Sequence, residues 1–218
     1  MDSCERDKLA KLTTALVADA RSRLDLPDGH LDGGIRPAIP FSRIAGTAVT
    51  VRVEASNEAS YDMSLYAEAT CDEHGSGKVL VIQVPKSRHM YGIFGEGAAT
   101  VARAHGFVGC LIEGAVRDTQ ELNEMSFPVF SRAIVPGFIA PKVKAVALNE
   151  PVDIGGIRIC SGDVVIADND GVIVVRPDEL DDVIVRAEAI KEWEHKMHAE
   201  LAKGLTGDQA RKIAGDMP

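Results

Sequence analysis

Apolar residues recur along this chain with two different periods, and the switches between them mark its elements. Between residues 5 and 24, Leu9, Leu12, Ala15, Leu16, Ala20 and Leu24 follow the three-to-four spacing of one helical face, which predicts a helix. A glycine- and proline-rich connection runs to Pro40. Gly46-Thr47-Ala48-Val49-Thr50-Val51-Arg52-Val53 then alternates and is rich in β-branched residues, so it predicts a strand. Residues 59–71 return to helical spacing, with Met63, Leu65, Tyr66 and Ala69 inward.

The central third is the most regular. Lys78-Val79-Leu80-Val81-Ile82-Gln83-Val84 predicts a strand, Gly97–His105 an alanine-rich helix stopped by Gly106, and Phe107–Ile112 a second buried strand. Strand, crossover helix and strand make a βαβ unit, expected to be parallel and right-handed. Beyond it, Phe127–Phe130, Val152–Ile154, Ile157–Cys160, Val164–Ala167 and Val172–Val175 are short strands between Gly, Asp and Asn turns. A long helical pattern follows to about Lys203, with Pro177 near its first turn and Gly204 past its end.

With 218 residues, 45% hydrophobic and 26% charged, the chain can build a substantial core. A net charge of −9 argues against a general nucleic-acid binder, although a local Arg and a cation could still hold an anionic substrate. Cys4, Cys71, Cys110 and Cys160 form no CxxC pair and are expected to be reduced thiols, with Cys110 and Cys160 as small buried hydrophobes. The first residues lack the apolar stretch of a signal peptide, and no window reaches membrane-spanning length. The expectation is a soluble cytoplasmic protein with no membrane partner.

Candidate chemistry concentrates after the second buried strand. In Gly114-Ala115-Val116-Arg117-Asp118 an Arg and an Asp stand side by side where α/β proteins place their ligands. The carboxylate can hold a hard cation and the guanidinium a substrate oxyanion. A surface ion pair, or Asp118 capping a helix over 119–123, is the competing explanation. Gly92-Ile93-Phe94-Gly95-Glu96-Gly97 precedes a helix whose amides can bind a carboxylate, or it is simply a tight entry with Glu96 on the helix dipole. Asp168-Asn169-Asp170-Gly171 reads as a hairpin with Asp-Gly at its tip, since a calcium loop would need a longer ligand series. Gly155-Gly156 reads as another turn. Glu192–Glu200, with Trp193 among acids, reads as a solvated or subunit-packing helix.

As an ordered series, Gly46-Thr47-Ala48-Val49-Thr50, Gly95-Glu96, Gly114–Asp118, Phe127-Pro128-Val129-Phe130 and Ser161–Val172 resemble the RraA-like family. That family includes class II 4-hydroxy-4-methyl-2-oxoglutarate and 4-carboxy-4-hydroxy-2-oxoadipate aldolases. The resemblance covers roughly residues 10 to 205. It implies an α/β fold: a compact swivelling β/β/α-type sandwich with a central βαβ unit and a long C-terminal helix. It further implies one domain over 1–218, assembly as a homotrimer or homohexamer, and a helix at about 178–204 packing on a neighbouring subunit.

By the same resemblance Asp118 would bind Mg²⁺ or Mn²⁺, Glu96 would hold a water beside the ion, and Arg117 would contact a pyruvate-like group. Gly95, Gly97 and Ala98 would form the substrate-binding segment, with the amides of Gly97 and Ala98 receiving its carboxylate. Glu194, with Glu192 as fallback, would reach in from a neighbour's C-terminal helix. The implied function is a divalent-metal-dependent lyase acting on a small 2-oxo acid through a pyruvate enolate, by aldol cleavage, oxaloacetate decarboxylation or both. The alternative is a non-catalytic regulator that binds ribonuclease E or another protein. Two features depart from the family pattern: Gly97-Ala98 stands where bulky apolar residues are usual, and the tail after Gly204 lacks a Glu-Leu-Gly-Leu-Asp stretch.

Overall fold

The structure, a computed structural model, describes residues 8–9, 11–57, 64–70, 76–139 and 142–218. Its first half contains helix α1 (Thr14–Arg23), strands β1 (Arg36–Pro37) and β2 (Ile44–Ala55), helix α2 (Ser64–Thr70), strands β3 (Lys78–Gln83) and β4 (Gly92–Phe94), and helix α3 (Glu96–Ala104). Strand β5 (Gly109–Val116), helix α4 (Thr119–Glu124) and strands β6 (Val129–Ile134) and β7 (Val143–Leu148) follow. The chain continues with β8 (Val152–Ile154), β9 (Ile157–Ile159), β10 (Val164–Asp168), β11 (Gly171–Val175), α5 (Leu180–Ala202) and α6 (Gly207–Ala214).

Nine strands form one sheet in the order β1-β6-β5-β3-β2-β10-β11, with β4 added on β5 and β7 on β2. The β2–β3, β3–β5, β4–β5 and β5–β6 pairs are parallel. Parallel strands are covered on both faces, which is why β3 and β5 read as continuous apolar runs. The order nearly closes on itself. Leu31 N–H donates to Val172 O (2.9 Å) and Val174 N–H to Gly29 O (2.8 Å), and a few residues later β1 pairs with β6. One short connection therefore touches both ends of the sheet.

Side-chain alternation sorts this sheet into separate cores. Val49, Leu80, Ile82, Cys110 and Ile112 face one layer with residues of α2, α3 and α4. Val79, Val81, Leu111, Val165 and Val174 face the interior, closed by the β8–β9 hairpin. On the outside of β10 and β11, Val164, Ile166 and Ile173 pack against α1 and α5.

The start of α1 shows how a tertiary contact can move an element boundary. Lys8 and Leu9 are helical, residues 11–13 break the pattern, and α1 begins at Thr14, where the Thr13 hydroxyl accepts the Leu16 N–H (3.2 Å) as a cap. The Asp168 carboxylate then takes both the Thr14 N–H (2.9 Å) and its hydroxyl (2.7 Å). Leu9 and Leu12 are buried before the helix starts, Ala15 faces solvent and Leu24 is half-buried. The same contacts, with the Asp170 N–H at 3.1 Å, occupy Asp168, whose hairpin turns through Asn169-Asp170 rather than Asp-Gly.

Strand β5 runs four residues beyond the expected end at Ile112, because Glu113 finds buried partners. Strands β1, β4 and β7 and helix α6 were not anticipated. Cys110 is fully buried, so its thiol is pushed well above the ordinary range, whereas Cys160 is only half-buried. In α2, Ala69 is buried and Tyr66 half-buried; Met63 and the Leu65 side chain lie outside the described residues, as do Cys4 and Cys71. Gly155 and Gly156, at φ +55° and +82°, make the β8–β9 turn. No helix among the described residues is long and apolar enough to cross a membrane.

Candidate active site at the end of β5

The pairing of β4 with β5 brings Glu96, Arg117 and Asp118 together. Gly92 and Phe94 lie opposite Ala115 and Val116, and the Arg117 N–H donates to Phe94 O at 3.0 Å. Helix α3 therefore starts beside the point where β5 ends. Asp118 turns the chain into α4 through a left-handed conformation, φ +57° and ψ +41°, which Asp tolerates better than most residues.

Asp118 does not cap its own helix by its side chain. Its Oδ2 instead accepts the Glu96 N–H across the junction at 3.1 Å, and lies 3.6 Å from Arg117 Nε. That approach requires Gly95, since a Cβ there would sit 2.3 Å from Oδ2. Among the described residues Oδ1 of Asp118 has no hydrogen-bond partner, and the Glu96 carboxylate is exposed without one. Ala99 makes the first intrahelical bond of α3, to Gly95 O at 3.0 Å, so the Gly97 and Ala98 amides remain available as anion donors.

No group of three or more His, Cys, Asp or Glu forms a preformed metal cage among the described residues. The donor set still suits a hard cation. Mg²⁺ commonly takes one or two protein carboxylates and completes its shell with water and substrate oxygens. Asp118 Oδ1, with Glu96 close by, offers that kind of partial set.

Glu194 is not brought to this cluster within the chain. It lies half-buried on α5, which packs on α1 and α6, and Glu192 is exposed and 3.8 Å from Lys196. Trp193 between them donates its indole N–H to Gly215 O (2.8 Å), tying the C-terminal tail to α5.

Sequence reasoning missed an aromatic ledge beside the site. The Arg117 guanidinium lies 4.7 Å from the centroid of Phe138, a half-exposed ring. The Gly92 N–H donates to Gly137 O (2.7 Å), and Gly92 and Phe138 form an isolated bridge. Tyr91, next to Gly92 in sequence, carries the Lys142 ammonium 4.9 Å from its ring centroid. The available signal was weak: aromatics make up only 5% of the chain, yet Tyr91 and Phe138 both adjoin a glycine.

Cavity size would have pointed elsewhere. A cavity of about 430 Å³, lined by Ile39, Phe41, Arg43, Val108 and Pro128, sits near the start of β5, away from Arg117 and Asp118. It holds no carboxylate. The lip at the other end of β5 carries the free Asp118 oxygen and the open helix amides.

Residues 14–174 match the family model "RraA-like: Aldolase/RraA". The chain belongs to the RraA-like family. A relative in Arabidopsis thaliana, named "Putative 4-hydroxy-4-methyl-2-oxoglutarate aldolase 2", is 30% identical over 174 residues, covering 76% of this chain and 96% of its own. Protein DlpA of Legionella pneumophila is 27% identical over 210 residues, 94% of this chain; the match spans only 33% of that longer protein. Among solved structures, an uncharacterized protein from Pseudomonas syringae pv. tomato superimposes with a TM-score of 0.83 at 28% identity, covering 97% of this chain and 98% of that one. Streptomyces coelicolor RraAS2, described as an unusual member of the RNase ES inhibitor RraA family, has a TM-score of 0.79, covering 89% of this chain and 96% of that one. At 22% identity it speaks for the fold alone. The α/β architecture, with its nearly closed sheet and long C-terminal helix, is that of this family.

Proposed function

We propose that this chain is a divalent-metal-dependent lyase that cleaves a 2-oxo acid, releasing pyruvate by aldol cleavage, by decarboxylation of oxaloacetate, or by both. One observation carries the reading. Asp118 is held by one carboxylate oxygen while the other stays free, next to a half-exposed Arg117 and open helix amides. A simple helix cap does not account for it, since Asp118 turns its carboxylate away from its own helix and across to the Glu96 amide. The aldolase name carried by the Arabidopsis relative supports the same class of reaction.

Each group has a task in the cleavage. The amides of Gly97 and Ala98 bind the C1 carboxylate, and Arg117 donates to the 2-oxo oxygen, where negative charge develops. Asp118 would hold Mg²⁺ or Mn²⁺, with Glu96 holding a water beside it; when bound, the cation supplies Lewis-acid polarisation of the 2-oxo group. In the aldol reaction the C4 hydroxyl gives up its proton to a base and the C3–C4 bond breaks. Its electron pair moves into the C3–C2 unit to give the enolate of pyruvate, which is then protonated at C3. In decarboxylation the same electron pair is left by CO₂. In this reading Glu96 moves these protons, and we assign the second acid to Glu194 of a neighbouring copy in a homotrimer or homohexamer.

The test is pyruvate release from oxaloacetate and from 4-hydroxy-4-methyl-2-oxoglutarate, with Mg²⁺ or Mn²⁺ and then with EDTA. Asp118→Asn protein serves as the blank for metal-catalysed decarboxylation. Metal-dependent release above that blank is expected. Silence on both substrates from folded, metal-loaded protein would overturn the lyase reading and favour a binding role.

A further inference from the structure

The cavity near the start of β5 has no part in the cleavage chemistry. Phe41, Ser42, Arg43, Asn123 and Ser126 are among the residues that line it, with Val108 in its wall. Val108 and Arg117 stand at the two ends of β5, roughly 25–30 Å apart along the strand.

This cavity gathers backbone strain. Of the five non-glycine residues with positive φ in the described chain, Phe41 (+63°) and Ser126 (+53°) both line it. A third, Asp118, belongs to the candidate active site. The Ser42 N–H donates to Ile39 O (3.3 Å), closing a turn with Pro40 and Phe41 at its corners. When Pro takes the first corner and the second has positive φ, glycine is the usual second residue. A bulky aromatic in that place is strained. The turn is held nevertheless, because Asn169 Oδ1 in the β10–β11 hairpin accepts the Phe41 N–H at 2.9 Å. Folding gains nothing from the ring, which is 84% exposed. Strain that the surroundings hold in place clusters at functional sites.

Arg43 supplies a charge beside the ring. Its Nη2 donates to Leu12 O, and among the described residues the guanidinium has no carboxylate partner. Arg21, Arg132 and Arg176 each sit on a carboxylate, as expected in a chain of net charge −9. No carboxylate of the described residues lines the cavity. A neighbouring hollow shares Phe41, Ser42 and Arg43 and includes Asp168 and Asp170; there the Asp168 carboxylate is taken by Thr14.

We propose that this cavity binds a small aromatic anion, its ring stacked on Phe41 and its anionic group on Arg43. Ser42, Asn123 and Ser126 supply neutral hydrogen-bonding groups around it. A volume of about 430 Å³ has room for a ligand of about two rings. Stacking tolerates many ring types, so an aromatic carboxylate and a nucleotide share this chemistry. The site does not depend on the lyase reading.

Ligand-observed NMR titration of the full chain compares benzoate, AMP and cyclohexanecarboxylate, which carries the charge without a flat ring. Benzoate or AMP is expected to bind about tenfold more tightly than cyclohexanecarboxylate, and the tighter of the two names the source of the ring. Phe41→Gly removes the ring and relieves the backbone, so the preference disappears while the melting temperature rises by about 2 °C. Arg43→Gln keeps a donor for Leu12 O but loses the charge, and is expected to weaken binding about tenfold. Arg117→Ala leaves this binding unchanged, which separates the cavity from the candidate active site. No ring preference in the wild type, or one that survives Phe41→Gly or is lost in Arg117→Ala, overturns the proposal. So does a lower melting temperature or a smaller assembly mass in Phe41→Gly, which would mean that another copy of the chain covers the ring.

Discussion

Strand β5 carries two arginine–carboxylate groupings four residues apart, and they are built in opposite ways. Near its middle, Glu113 accepts from Arg132 Nε (2.7 Å) and from the Gly155 N–H (2.7 Å), while Arg132 also makes a two-pronged contact with Asp32 at 3.0 and 2.8 Å. Every charge in this knot has partners, and it ties β5, β6, the β8–β9 turn and the connection before β1 together. At the end of the strand, Arg117 and Asp118 are about one-third exposed, 3.6 Å apart, and leave one carboxylate oxygen open. Both patterns place a charge on a buried strand, but only the first uses up its hydrogen-bonding capacity. Ion pairs that close on themselves hold the fold, whereas one that remains open has capacity left for a ligand.

Substitutions at the two ends should part stability from activity. The largest effect is expected at Asp118→Asn. Asn tolerates the left-handed backbone and keeps an acceptor for the Glu96 N–H, so melting should stay near wild type, while metal-dependent turnover falls by roughly 10³-fold. A melting temperature that falls with the activity would make Asp118 a structural residue. Next comes Glu113→Gln, which removes the charge facing Arg132 and leaves one amide oxygen where Arg132 and the Gly155 N–H each had their own acceptor. With the pair only partly exposed, a loss of about 2–4 kcal/mol in chemical denaturation is expected, with turnover per folded molecule unchanged.

A smaller effect tests the ledge. Phe138→Leu keeps an apolar contact but removes the ring face under Arg117, and should cost roughly 0.5–1 kcal/mol of transition-state stabilisation, read in kcat with little change in folding. An unchanged kcat would remove Phe138 from the positioning of Arg117.

The smallest effect belongs to Asp32. The Arg132 hydrogen bonds, and then the Gly34 N–H, hold its carboxyl below the ordinary value of 3.8. A carboxyl lowered in the folded state contributes stability that is full above its unfolded value and fades as pH drops through the folded one. Wild type should therefore lose a little stability below about pH 3.8 that Asp32→Asn does not, and with the side chain half-exposed the difference should stay under about 1 kcal/mol. A larger difference at pH 6 than at pH 3 is the expected sign; the reverse would mean that Asp32 is not held by Arg132.

The sequence by itself determined the buried strands, the βαβ order, the two hairpins and the long helix, because period and turn residues are local properties. It also placed Arg117-Asp118 at a strand end and Glu96 at a helix start. It left open whether Asp118 caps its own helix, because a cap and a free ligand have the same local pattern; the pairing of β4 with β5 sends the carboxylate to Glu96 instead. The start of α1 was decided by Asp168, about 150 residues away, and the length of β5 by partners for Glu113 on two other segments. The contact of Phe138 with Arg117 has no period at all. Only tertiary structure reveals it, since a ring under a guanidinium depends on strands meeting in space, and nothing in the residues between them records that meeting.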